Sequence, residues 1–369
     1  MRFLRITVYS FIFAIGIGSK MAFAERFETS AGVVKVDQVV AGLDAPWAVA
    51  ILDEDAFLIT ERSGALLYIK DGNRRTVSGV PTVYDEGQGG LLDLALARDF
   101  DQTGEVFITF AEPGGRGGGT ALAVAKFDAN QAALSNVRII FSMNEKASGG
   151  RHFGSRVVEA QDGTLFLTIG DRGDRASAQD LDRHNGTVIR VNRDGSIPED
   201  NPDLGGAEGI YSYGHRNAQG AALDLRGDLW TVEHGARGGD EINKPRAGLN
   251  YGWPIISFGT HYSGLPIGVG TETQGMEQPS MYWDPSIAPS GMIIYSGRMF
   301  PEWRGDIFVG SLKFNYMSRI ETQGSSAREV EQLFRDDYTR IRDIREGPDG
   351  SIYFLSVGEG ALFRVLPDG

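Results

Sequence analysis

The chain contains no cysteine. That excludes disulfides, thiolate metal ligands, a thiol nucleophile and a lipid-modified cysteine anchor. Beyond residue 24 no apolar run approaches the roughly 20 residues a membrane-spanning helix needs. Basic residues are also in deficit, with 36 Lys and Arg against 49 Asp and Glu and a net charge of −13, so nucleic acid is a poor partner. The Gly-rich stretch 114–119 lacks the Lys-Ser/Thr ending of a phosphate-binding loop and is expected to be a flexible loop. No dinucleotide-binding fingerprint or haem motif is present, and the five histidines show no clustered or i, i+4 ligand spacing.

Residues 1–24 carry Arg2 and Arg5, an apolar stretch from Ile6 to Ile17 and a small-x-small ending at Ala22-Phe23-Ala24. This reads as a cleavable secretory signal, with the mature chain starting at Glu25. Its removal takes away three bases, Arg2, Arg5 and Lys20, and moves the charge from −13 to −16. Export of a chain without disulfides fits a bacterial periplasm. No linker-like stretch interrupts residues 25–369, so one domain is expected.

Six short apolar runs each end in a charged or small polar residue before a loop: Phe57 to Glu61, Val106 to Phe110, Leu165 to Asp171, Leu229 to Glu233, Ile307 to Lys313 and Ile352 to Ser356. Their spacing of roughly 45 to 80 residues marks a radial array of sheets. Fifty glycines supply turns, and aromatic and β-branched residues supply strands. The expectation is an all-β, six-bladed β-propeller. The strand-like segment 33–41 is expected to complete the last blade beside 361–366 and so remove an exposed edge.

In so acidic a chain, cations at strand ends and in Gly-rich loops stand out: Arg216, Lys313, Arg340 and Arg342. Arg340 and Arg342, two apart on an expected strand, would point to one side. Each group lies in a repeat that converges on the axial face, and together they suit a compact polyanion. The alternative is that each pairs with a nearby acid such as Asp343. His152 sits in a Gly-flanked loop where a neutral imidazole can accept a proton, with Arg151 opposing a second positive charge. The turn from Glu233 to Glu241 offers backbone carbonyls of the kind Ca²⁺ takes, or else is a solvated acidic turn.

Six motifs occur in order: 87–93 (GQGGLLD), 151–154 (RHFG), 170–173 (GDRG), 214–217 (GHRN), 240–243 (DEIN) and 340–343 (RIRD). Together they resemble the soluble quinoprotein glucose/sorbosone dehydrogenase family, in particular its aldose sugar dehydrogenases, over roughly residues 42 to 367. The resemblance implies a six-bladed propeller with pyrroloquinoline quinone (PQQ) at the axial face, held by Arg216, Asn217, Lys313, Arg340 and Arg342. It implies a Ca²⁺ on the Gly235 and Ala236 carbonyls, where the family usually has Gly-Pro, and a second Ca²⁺ near Glu241 and the Tyr251 backbone. His152 would take the proton of the anomeric hydroxyl while hydride passes to PQQ. Arg216 would stabilise the developing oxyanion, and Gln88 and Asp171 would position sugar hydroxyls. The product would be a lactone, and a cytochrome or membrane quinone would take the electrons. Arg151 replaces the acid that glucose-specific members carry before the base, and Arg172 replaces their Gln, which widens the expected substrate to aldoses in general. Long insertions of dimeric members are lacking, so a monomer is expected. Two rivals share the fold: a Ca²⁺-dependent lactonase, with Glu61 and Glu233 as axial ligands, and a propeller that only binds proteins or glycans.

Overall fold

The computed structural model describes residues 25–369, so the expected signal segment lies outside the described residues. Five four-stranded antiparallel sheets follow one another as blades 1 to 5, spanning 46–76, 91–142, 157–213, 218–283 and 289–333. Blade 6 takes Ile341–Glu346, Ile352–Ser356 and Ala361–Pro367 from the end of the chain and Gly32–Val40 from its beginning. Antiparallel pairing of Val36 with Val365 closes the ring. A fifth strand, Glu25–Thr29, covers the outer edge that closure leaves.

All six apolar runs singled out in the sequence are second strands of blades: Ala56–Glu61, Glu105–Gly114, Leu165–Ile169, Leu229–Glu233, Ile307–Ser311 and Ile352–Ser356. They read as continuous apolar stretches because a propeller blade is covered on both faces by its neighbours. Leu165–Ile169, Leu229–Glu233 and Ile352–Ser356 are buried at every position. A separate apolar cluster fills each junction between adjacent blades, for example Phe107, Leu122, Leu165 and Ile189 between blades 2 and 3. Full burial of such a Leu or Phe contributes about 1.5–3 kcal/mol.

Antiparallel pairing puts the start of each first strand beside the end of the second. Pro46 pairs with Glu61, Leu91 with Phe110, Ala218 with Glu233, Pro289 with Ser311 and Ile341 with Ser356. The residues that follow second strands and precede first strands therefore all emerge on one face of the ring. The Gly-rich stretch 114–119 differs from the flexible loop expected. It turns a long hairpin between Glu105–Gly114 and Gly117–Asp128. A side chain at Gly117 would meet the Ala147 carbonyl oxygen at 1.9 Å and one at Gly118 the Tyr84 ring at 2.4 Å, so these glycines serve close approach.

The ring axis is filled by charge. Arg156, 2% exposed, bonds Asp93 at 2.9 Å and makes an ion-pair contact with Asp343 at 2.8 Å. Arg345 bonds Asp343 at 3.0 Å and Asp93 at 2.5 Å. The second oxygen of Asp93 accepts the Val157 N–H and that of Asp343 the Val49 N–H, so the cluster also ties blades 1, 2, 3 and 6 together through their first strands. Replacing Asp93 with Ala strands two arginines with a single acid between them. The expected loss is about 3–5 kcal/mol, read from the urea midpoint of unfolding.

Candidate active site

Above the axial ions, on the face where first strands begin, lies a cavity of ≈ 750 Å³. Its lining carries Arg62, Lys313, Arg340 and Arg342 and no carboxylate. Asn217, Gln219, Gln88, His234 and Trp47 add polar and aromatic surface. Asp343 is taken by Arg156 and Arg345, so the acid beside Arg342 in sequence does not neutralise it. Arg342 instead donates to Gln219 Oε1 at 3.2 Å. Burial and the neighbouring cations Arg156, Arg340 and Arg62 bring its guanidinium down to about 9, so it stays charged at neutral pH. Arg340 and Arg342 reach the same cavity, though not by strand alternation. Arg340 precedes the strand with φ 53°, and the pairing is bulged between Ile341 and Asp343. Lys313 is exposed, with its ammonium 4.7 Å from the centre of the Phe314 ring.

Arg62 was not singled out in the sequence. It follows Glu61 at the end of a second strand, the position that also supplies Asp171, His234 and Lys313, and that shared position was the available signal. It donates to Asp85 at 3.2 Å and to the Gly87 and Gly89 carbonyls, which pins the turn that carries Gln88.

Arg216 and Asn217 stand at the start of blade 4, positioned by Glu233 from the next strand. Their backbone N–H groups donate to Glu233 Oε2 at 2.6 and 3.3 Å. Arg216 is 7% exposed, does not line the cavity directly, and donates to the carbonyl of His234, which does. Asn217 Oδ1 accepts the Gly154 N–H at 3.1 Å, joining this corner to the loop of His152.

His152 is held from three sides. Its backbone N–H donates to Gln88 Oε1 at 2.7 Å, its φ of 55° places it in the left-handed region, and its Nδ1–H donates to Asp171 Oδ1 at 2.6 Å. Asp171 was expected to hold sugar hydroxyls, but it is fully buried and both oxygens are engaged. Oδ1 also accepts the Gly173 N–H at 2.7 Å, and Oδ2 accepts Trp253 Nε1–H at 2.8 Å. The pair is an Asp-His dyad that fixes the tautomer and leaves Nε2 as the basic nitrogen. Burial lowers the imidazole's affinity for a proton, Arg216 and Arg151 lower it further, and the Asp171 bond only partly restores it. Burial thus does more than Arg151 to keep the ring neutral. Asp171 is held below the usual carboxylate range, the cost of its burial outweighed by His152 and the N–H donors.

The turn after Glu233 is not solvated. Asp240 and Glu233 are 1% and 2% exposed, and Asp240 accepts the backbone N–H groups of Gly235 and Ala288. The Gly235 and Ala236 carbonyls accept no hydrogen bond among the described residues, which leaves two successive backbone oxygens free as donors to a cation. Further along, Glu233 accepts from His215 and Asn243, Asn243 also donates to Glu241, and Tyr251 stacks on His215 at 4.7 Å. Burial and the charge of Glu233 push the Glu241 carboxyl well above its ordinary range.

The carboxylates a lactonase would bring to the axis are otherwise engaged. Asp93 and Asp343 bind arginines, Glu233 is saturated, and Glu61 accepts the Asp44 N–H. No group of three or more His, Cys, Asp and Glu side chains is arranged to hold a metal ion among the described residues.

Comparison with known proteins agrees with this arrangement. The chain is 41% identical over 345 residues to aldose sugar dehydrogenase YliI of Escherichia coli K12, covering 90% of this chain and 93% of that one. Its fold superposes on the apo crystal structure of the soluble aldose sugar dehydrogenase of E. coli with a TM-score of 0.87 at 40% identity, covering 91% and 100% of the two chains. It superposes on the PQQ-bound aldose sugar dehydrogenase of Streptomyces coelicolor with a TM-score of 0.75 at 25% identity, covering 90% and 98%. Residues 43–364 match the family model described as glucose/sorbosone dehydrogenase, and the chain belongs to that family.

Proposed function

We propose that the protein is a quinoprotein that oxidises aldose sugars at the anomeric carbon to lactones, with PQQ as cofactor and His152 as general base. The observation that carries this reading is the axial cavity with four cations and no lining acid, beside which the dyad stands. PQQ has three carboxylates, and three of these cations, Lys313, Arg340 and Arg342, have no carboxylate partner among the described residues, which matches a polyanion better than any neutral ligand. Arg342, Arg340 and Lys313 would hold those carboxylates, with Arg62 as a further cation, while Asn217 frames the side toward the His152 loop and Arg216 stands behind the wall on the His234 carbonyl. The free carbonyls of Gly235 and Ala236 suit Ca²⁺, a hard cation that takes oxygen ligands. A second Ca²⁺ near Glu241 and the Tyr251 backbone would return the Glu241 carboxyl to its charged form.

When bound, PQQ would supply a two-electron acceptor for the hydride of C1, and a Ca²⁺ on the Gly235 and Ala236 carbonyls would supply Lewis acidity. The chain's own residues do the rest. His152 Nε2 takes the proton of the anomeric hydroxyl while Asp171 keeps the ring in place. Arg216, a buried guanidinium whose charge is felt at His152, would stabilise the oxygen that gains charge as the proton leaves. Loss of the O1 proton to His152 and of the C1 hydride to the acceptor would turn C1–O1 into a carbonyl within the intact sugar ring, so the product is a lactone. Gln88, whose carbonyl oxygen is spent on His152, keeps its amide N–H groups for a sugar hydroxyl. A cytochrome or membrane quinone would then remove the electrons, the protein acting as a periplasmic monomer.

Dye-linked oxidation of an aldose panel by apo-protein should require PQQ and Ca²⁺ together, and activity without either would refute the reading. Arg342→Ala should weaken PQQ binding by at least 2 to 3 kcal/mol, on the order of a charge-assisted hydrogen bond. His152→Ala should leave PQQ binding intact and reduce turnover by about 10²–10⁴-fold. Because burial lowers the His152 pKa, the neutral base persists to lower pH than a free imidazole. The acid limb of kcat/KM should therefore fall below pH 6.5; a limb at or above that value argues against His152 as the base.

A further inference from the structure

Arg172, next to Asp171, takes no direct part in the dyad, yet it is buried to 4% exposure. Its guanidinium finds carbonyls where a buried cation usually finds a carboxylate. Nη2 donates to Gly149 O at 2.8 Å and to Gly118 O at 3.3 Å, and Nη1 donates to Arg151 O. Its central carbon lies 3.4 Å from the centre of the Phe153 ring. The Arg172 backbone N–H donates to the carbonyl of His152 itself at 3.3 Å. Every residue from Arg151 to Phe153 is thus touched by Arg172, and Gly149 extends the grip toward the start of the loop. Asp171, the neighbouring acid, is spent on His152, Gly173 and Trp253.

Such a placement is expensive. Burial brings the guanidinium down to about 10, so a cation is kept in a site without an ion-pair partner. His152 and Arg172 both hold left-handed backbone, at φ 55° and 54°. Strain of this kind persists only where the surroundings over-determine it, and it concentrates where geometry matters for chemistry. A planar fork that reaches three carbonyls at once is something Arg provides and Lys does not. The hairpin of blade 2 takes part as well, since Gly118 O is one of the acceptors and any side chain there would collide with Tyr84.

We propose that Arg172 is a positioning residue for the oxidation: its fork on the loop carbonyls fixes where the His152 imidazole stands relative to the anomeric hydroxyl. This inference rests on His152 being the base. Arg172→Gln and Arg172→Lys, each compared with wild-type protein loaded with PQQ and Ca²⁺, test it through kcat, the primary isotope effect on an aldose deuterated at C1, and the PQQ dissociation constant from fluorescence titration. A misplaced base should lower kcat by about 10- to 100-fold in Arg172→Gln and raise the isotope effect, with PQQ affinity within about twofold of wild type. Arg172→Lys, which keeps the charge and loses the fork, should likewise lower kcat and raise the isotope effect relative to wild type, and it serves as the test should the Gln variant not fold. Wild-type kcat and isotope effect in a folded variant, or a loss that merely tracks weaker PQQ binding, would overturn the inference and leave the dehydrogenase reading standing. Inactive wild-type protein would overturn both.

Discussion

The axial ion cluster governs the rest of the site. Asp93 and Asp343 directly follow the cavity-lining residues Leu92 and Arg342, and Arg156 and Arg345 consume both. In a chain with 13 more acids than bases, that pairing leaves Arg342, Arg340 and Lys313 without carboxylate partners on the cavity wall, while Arg62 beside them is paired with Asp85. The cluster is neutral in itself, so it stabilises the closed ring while passing no compensating negative charge upward. Mutual repulsion of the wall cations is then relieved only by a ligand that brings its own negative charge. The wall is in this sense built against the empty state, a disposition common where binding energy serves catalysis.

The catalytic corner follows from the same ring geometry. The loop leading into blade 3 supplies His152 and the end of that blade's second strand leads to Asp171, the connection into blade 4 supplies Arg216 and Asn217, and Glu233 accepts the backbone N–H groups that would otherwise loosen that corner. Gln219 joins the parts. Its amide touches Gly154 O and Asn217 Oδ1, its Oε1 accepts Arg342, and its own carbonyl accepts Arg156 from the axis. A displacement of the cavity wall is therefore felt at the His152 loop through a single side chain. Burial, more than any one charge, keeps the imidazole neutral, so the geometry of the loop and the readiness of the base are set together.

Much of the fold was legible because a propeller writes its second strands as apolar runs covered on both faces, and because turn residues punctuate them. Closure by Gly32–Val40 was legible for a related reason, since an uncovered last blade would have exposed an edge. The cations were legible as exceptions in an acidic chain, though the route by which Arg340 reaches the cavity was not, because a left-handed residue and a bulge break the alternation that spacing assumes. The axial network was hidden by distance in sequence: Arg345 meets Asp93 across 252 residues. The part of Asp171 was misjudged because its motif shows an acid beside the site but not that its two oxygens face His152 and Trp253. The hairpin at 114–119 was missed because glycine serves mobility and tight contact alike, and only the neighbouring Tyr84 and Ala147 decide between them.

The central claim is that uncompensated positive charge on the axial wall selects a polyanionic cofactor, and charge on the ligand is the variable that tests it. Equilibrium titration of the apo-protein with PQQ and with its uncharged trimethyl ester, in the presence of Ca²⁺ and over a range of salt concentrations, measures that directly. The account predicts one PQQ per chain, binding that weakens as salt rises, and an ester that binds far more weakly at every ionic strength. An ester that binds as tightly as PQQ, or PQQ binding indifferent to salt, would contradict it.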